Sequence, residues 1–170
     1  AIFGLGRIGG LVAERARAFG MKLIGYDPYC SPERAEQLGV TLYDDVDALV
    51  PLADFITVHL PKTKETIGMF GPDQYARMKD GVILINNSRG QLVVERDLAD
   101  ALNSGKVYAA GLDVVSTEPI RGDNPLLRAR NCIITPHISW AARESRERIL
   151  DTTVENIRAF LGGSPVHVVN

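Results

Sequence analysis

Short apolar runs alternate with helical patterns along the chain. Ala1-Phe3, Lys22-Tyr26, Phe55-Val58, Val82-Asn86, Tyr108-Asp113 and Cys132-Thr135 are near-continuous apolar segments. Such runs predict parallel strands covered on both faces, since a strand with one wet face alternates instead. Between them lie helices. One is predicted from about Arg7 to Phe19, stopped by Gly20. Ser31-Pro32-Glu33 opens a second with a hydroxyl N-cap and Pro at the first helical position. A third covers about Glu95 to Leu102 and ends before Asn103-Ser104-Gly105. From about Ala142 to Leu161, Ile149, Leu150, Val154, Ile157, Phe160 and Leu161 recur at helical spacing, predicting an amphipathic helix that Gly162-Gly163 ends. Strand and helix repeated this often predict an α/β fold: a Rossmann-type, doubly wound parallel sheet in a single domain, with no internal linker.

Composition adds exclusions. A net charge of -2 and no run of Lys or Arg give no footprint for nucleic acid. No apolar stretch has the length of a membrane span, so the chain is expected to be soluble. Cys30 and Cys132 lack metal-ligand spacing and read as reduced thiols of a cytoplasmic protein, with no metal expected. The chain opens inside a strand, and we read it as part of a longer protein.

The first chemical signal is Gly4-Leu5-Gly6-Arg7-Ile8-Gly9, a G-x-G-x-x-G between a strand and a helix. Gly4 permits the tight turn, Gly6 lets the backbone approach a pyrophosphate, and Gly9 lets helix and strand pack closely. The helix-start N–H groups at Arg7 and Ile8 then point at the phosphates. Asp27 ends the next strand about twenty residues on, where a carboxylate accepts hydrogen bonds from the adenosine ribose. It would also repel a 2′-phosphate, and Pro28 and Tyr29 supply no cation, so NAD is favoured over NADP. Arg34 lies near enough in sequence to weaken that preference.

Three further motifs follow in order: Asn86-Asn87-Ser88-Arg89-Gly90, Gly111-Leu112-Asp113-Val114 with Glu118-Pro119, and Thr135-Pro136-His137-Ile138. With the glycine loop they resemble the D-isomer-specific 2-hydroxyacid dehydrogenases over essentially the whole chain. The resemblance implies Arg89 as the substrate-carboxylate binder and Glu118 with His137 as the acid–base pair. It puts Asp113 near the nicotinamide carboxamide, with Asn87, Ser88 and His137 among the cofactor contacts. His59-Leu60-Pro61 resembles the family's loop beside the nicotinamide ribose, giving His59 and Pro61 a secondary place there. His167 lacks such context and reads as structural. Taken singly, Arg89, Glu118 and His137 have bland readings: a surface Arg, a turn residue, a hydrogen-bonded structural His. Their joint order favours the chemical one. Arg presents a fork that holds a carboxylate, and His titrates nearest neutrality, as protonation of a nascent alkoxide requires.

Family members often carry Asp where this chain has Val94, before the Glu95 helix, and loss of such a cap costs about 1 kcal/mol. The resemblance also implies an N-terminal substrate domain that these residues do not include, so that residues 1–170 are the NAD-binding domain with a C-terminal helix and tail. His137-Ile138-Ser139-Trp140-Ala141 and the ending Val168-Val169-Asn170 look most like the glycerate dehydrogenase and hydroxypyruvate reductase branch. The expected partners are a small 2-oxo or 2-hydroxy acid and a second copy in a homodimer. Phosphoglycerate dehydrogenase and an NAD-sensing corepressor module remain alternatives. Formate dehydrogenase fits less well, because that family places an amide where Glu118 stands.

Overall fold

The computed structural model describes residues 1–169; Asn170, the last residue of the predicted tail, lies outside them. The chain divides into two compact units, Ala1–Pro136 and a second beginning at His137, where the sequence pattern predicts one domain.

The first unit is a seven-stranded sheet of β1 (Ile2–Phe3), β2 (Leu23–Tyr26), β3 (Val40–Tyr43), β4 (Phe55–Val58), β5 (Val82–Asn86), β6 (Val107–Leu112) and β7 (Cys132–Ile134). The order is β3-β2-β1-β4-β5-β6-β7, and every pairing is parallel. The six predicted strands are present within a residue of their expected ends. Strand β3 was not predicted: Val-Thr-Leu-Tyr is four residues long, lies at the sheet edge, and only Val40 is buried.

Helix α1 (Arg7–Ala18) follows β1, and Gly20 takes the left-handed conformation (φ 77°) just after it. Helix α2 (Pro32–Leu38) starts as its sequence predicts: the Ser31 hydroxyl accepts from the Arg34 N–H at 3.2 Å, and left-handed Gly39 ends it. Two short helices, α3 (Val46–Leu49) and α4 (Pro72–Arg77), carry too little periodicity to be read in advance. Helix α5 (Glu95–Ser104) runs two residues past the expected Leu102, because left-handed Gly105 supplies the stop. Its N-cap, Val94, offers no side-chain hydrogen bond.

Neighbouring residues of one strand feed opposite cores, as the two-residue period requires. Phe3 packs with Phe70, Leu84, Leu98 and Leu102 on one face, and Ile2 packs with Leu5, Ala13, Leu23 and Leu38 on the other. Phe3 and Phe70 meet edge to face at 4.9 Å between ring centroids.

The second unit contains α6 (Arg143–Leu161), which has no buried residue. Its apolar stripe is there, but Ile149, Leu150, Val154, Ile157, Phe160 and Leu161 are all exposed. The tail beyond it is tied back by His167, whose Nδ1 lies 2.8 Å from the Asn156 side-chain oxygen, in keeping with a structural role. No helix among the described residues is long and apolar enough to cross a membrane.

Candidate functional site

Sheet register gathers five of the predicted residues. Phe3 pairs with Tyr26 on one side and Val58 on the other, Val58 with Asn86, and Asn86 with Leu112. The next residue along each strand is therefore at the same level: Asp27, Gly4, His59, Asn87 and Asp113. All five were singled out from sequence, and all stand at the carboxyl edge of the sheet. The chain reverses its direction of travel across the sheet between β1 and β4, which is where ligands bind in open α/β sheets.

The glycine loop is built by backbone approach. Gly4 has φ 93°, its N–H donates to the Tyr26 carbonyl at 2.8 Å, and an added Cβ would lie 2.8 Å from the His59 carbonyl. A Cβ on Gly9 would fall 1.8 Å from the Gly4 oxygen. On Gly6 it would meet nothing within 4 Å. That open face, with Gly6, Arg7 and Ile8 all exposed, is the cradle a pyrophosphate needs. No side chain caps α1 and none of its first-turn residues is acidic, which leaves the N-terminus free to receive an anion. Asp27 is held by two backbone donors, Leu5 N–H to Oδ2 at 2.7 Å and Tyr29 N–H to Oδ1 at 2.9 Å. The residues present thus fit a dinucleotide.

His59 donates its N–H to Phe3 at 2.6 Å, and its Nε2 lies 3.0 Å from Thr57 Oγ1. Burial holds its pKa below the ordinary value. The following loop is pinned through Thr66, which donates to the Pro61 carbonyl at 2.7 Å and accepts from the Thr63 N–H at 2.8 Å.

After β5, buried Asn86 shapes the turn. Its Oδ1 accepts from Ser88 N–H at 3.0 Å, and its Nδ2 donates to the Arg89 carbonyl at 2.9 Å. The Ser88 hydroxyl donates to the Leu60 carbonyl, joining this turn to the one after β4. Asn87 and Arg89 are exposed, and Arg89 Nη1 donates to the Ser88 carbonyl at 2.7 Å. After β6, Asp113 is buried and accepts from Thr135 Oγ1 at 2.5 Å. Glu118 is exposed, and its Oε1 accepts from Val115 N–H at 3.3 Å. His137 opens the second unit with a left-handed backbone (φ 55°), its carbonyl accepting from Trp140 Nε1 at 2.8 Å.

Sequence reading missed what joins the β5 and β6 loops. The Glu95 carboxylate accepts from Ser116 N–H (2.6 Å), Ser116 Oγ (2.7 Å) and Asn124 Nδ2 (2.9 Å). Gln91 Nε2 donates to the Ser116 carbonyl at 2.6 Å, and an added Cβ on Gly90 would lie 2.0 Å from the Val115 carbonyl carbon. Glu95 thus braces the segment that carries Glu118. The only forewarning was a carboxylate in the first turn of a helix that lacks a side-chain cap.

Comparison with known proteins agrees with this geometry. Residues 1–139 match the family described as D-isomer specific 2-hydroxyacid dehydrogenase, NAD binding domain. The chain is 57% identical to a hydroxypyruvate reductase of Blautia hydrogenotrophica, over 99% of this chain and 52% of that protein. A crystal structure of D-lactate dehydrogenase from Aquifex aeolicus, complexed with NAD and lactic acid, superposes with TM-score 0.86 at 36% identity. That match covers 96% of this chain and 53% of the other. An acyclic imino acid reductase in complex with NADPH and D-Arg superposes with TM-score 0.84 at 32% identity, covering 99% and 52%. The chain spans about half the length of each of these three proteins. It belongs to the D-isomer-specific 2-hydroxyacid dehydrogenases, as an NAD-binding domain of that family.

Proposed function

We propose that this domain serves an NAD-dependent reductase that interconverts a small 2-oxo acid and its D-2-hydroxy acid, with hydroxypyruvate or glyoxylate as substrate. The observation that carries the reading is the row of Asp27, Gly4, His59, Asn87 and Asp113 along one sheet edge, each the first residue past its strand. The 57% identity to a hydroxypyruvate reductase supports the substrate class. Because the relatives are about twice as long, a second, substrate-binding domain is part of the proposal. A homodimer and a cytoplasmic setting rest on the family resemblance.

The nicotinamide of NAD, when bound, exchanges a hydride with the substrate carbon. Gly4, Gly6, Arg7, Ile8 and Gly9 hold the pyrophosphate, and Asp27 holds the ribose. His59, Pro61, Asn87, Ser88 and Asp113 line the nicotinamide end. Arg89 grips the substrate carboxylate through its planar fork and turns the carbonyl toward the reacting face. His137 gives a proton to the oxygen that was the carbonyl, with Glu118 assigned as its acid–base partner by the family resemblance.

The test is steady-state kinetics of the protein with its substrate domain, using NADH and hydroxypyruvate, glyoxylate or the 3-phosphorylated analogue of hydroxypyruvate. Hydroxypyruvate or glyoxylate should give the highest kcat/KM. His137→Ala should lower kcat by about two to four orders of magnitude, the usual worth of a positioned general acid. Arg89→Ala should raise KM and lower kcat together. Preference for the phosphorylated analogue, or full activity of His137→Ala, would overturn the assignment.

A further inference from the structure

Beyond the ends of β2 and β3 lies a pocket of about 540 Å³, lined by Asp27, Cys30, Leu42, Tyr43 and Asp44 among others. It adjoins the glycine loop through Asp27, so it is the place for the adenosine end of a dinucleotide. Two of its lining residues are carboxylates, and no Lys or Arg among the described residues lines it. Arg34, the cation that sequence proximity left in question, does not line the pocket: an added Cβ on Gly10 of α1 would stand 2.9 Å from its Nη2, although its charge still reaches Cys30 at the pocket wall.

The two carboxylates differ in what they are free to do. Both oxygens of Asp27 already accept backbone N–H groups, one from the glycine loop and one from its own turn. Its charge is partly spent on holding the loop against β2, and replacing it would disturb the binding of any dinucleotide. Asp44 is exposed, and no described residue donates a hydrogen bond to its carboxylate. A 2′-phosphate brought into this pocket would meet an uncompensated negative charge there.

We infer that Asp44 is a specificity-determining residue for the cofactor, disfavouring NADP(H) by charge, while Asp27 chiefly anchors the glycine loop and the ribose. This rests on the pocket being the adenosine site of the NAD-binding domain. The family does not decide the matter, since one structural neighbour is complexed with NAD and another with NADPH.

The test is calorimetric titration of the chain with ADP-ribose and with 2′-phospho-ADP-ribose, which probe the adenosine end without the nicotinamide. The readout is the ratio of the two affinities. Asp44→Asn should shift that ratio toward the phosphorylated probe by about 4- to 6-fold at low salt, the effect of one charge on a phosphate of charge about -1.5 to -2 lying about 8 Å away in a water-like medium. The shift should shrink in about 0.5 M salt, because exposed charges are screened. Asp44→Lys should move the ratio further, and Asp27→Asn should weaken both probes. A ratio unmoved by Asp44→Asn and Asp44→Lys, or moved equally at low and high salt, overturns the inference while leaving the adenosine site in place. A wild-type chain that binds neither probe overturns the site itself.

Discussion

On the β1–β2 side, the site is held by the main chain. Gly4 donates to Tyr26, His59 donates to Phe3, and Asp27 takes its hydrogen bonds from the N–H groups of Leu5 and Tyr29. On the β5–β6 side, side chains do the holding: Asn86 shapes one turn, Glu95 and Gln91 clasp Ser116, and Asn124 completes the clasp. The difference follows from the task proposed for each region. A pyrophosphate is bound by backbone N–H groups, so the first region must keep side chains away, and glycine does that. The second region must present Arg89 and Glu118 from separate loops, and only longer side chains reach across between them.

If that contrast is right, glycines should separate fold from binding on the first side. Gly9→Ala should cost about 3 kcal/mol or more, because its Cβ would fall 1.8 Å from the Gly4 oxygen and backbone would have to move. Gly6→Ala meets nothing within 4 Å, so its melting temperature should stay near wild type. Its affinity for NADH should nonetheless fall by about tenfold or more, since a methyl stands where the phosphate approaches. Thermal melts and NADH titrations of the two variants check this. Equal loss of stability in both would mean that Gly6 is a packing residue, and the contrast would fail on its stronger side.

Next in size comes Glu95→Ala. It removes three hydrogen bonds and leaves the Ser116 N–H and the Asn124 amide without their acceptor. A net loss of about 2 kcal/mol is expected for a half-buried carboxylate with these partners. Amide exchange should accelerate at Ser116 while Gly4 and Leu5, across the sheet, keep wild-type protection. Acceleration at both places would show that the two regions are one cooperative unit.

The same contrast explains what the sequence made legible. Glycine spacing, strand-terminal Asp27 and the apolar runs are local signals, because backbone geometry dictates the residue at each position. That sufficed for six of seven strands and for Gly4 and Asp27, while His59, Asn87 and Asp113 in the same row were singled out only through the family resemblance. Strand β3 escaped because an exposed edge imposes no continuous apolar run. Glu95 escaped for another reason: its partners, Ser116 and Asn124, lie 21 and 29 residues away, and no local pattern marks a carboxylate that acts over that distance. Asp44 was invisible too, since its importance depends on the pocket that β3 completes. In α6 the pattern was legible but its consequence was not: the predicted apolar stripe exists, and Phe160 is still 71% exposed.

The smallest expected effect concerns His59, at the seam where β1 meets β4. Burial holds its imidazole pKa below the ordinary 6.5, so the folded chain resists a proton that the unfolded chain accepts. Above pH 6.5 the ring is mostly neutral in both states, and the stability its neutral form contributes is fully present. As pH falls through 6.5, the unfolded state gains the proton first and stability declines. The decline ends only below the folded-state value, where both states are charged. The carboxylates of Asp54 and Asp123 are held below the ordinary 3.8 by Lys79 and Arg121, so they titrate beneath this window. Melting temperatures between pH 7.5 and 5.5 should therefore fall more for wild type than for His59→Gln, which keeps a polar group near Thr57 but cannot take up the proton. Parallel curves would mean that the ring is protonated in the fold as readily as outside it. The seam between β1 and β4 would then be wet, and the main-chain side of the site less tightly closed than its hydrogen bonds imply.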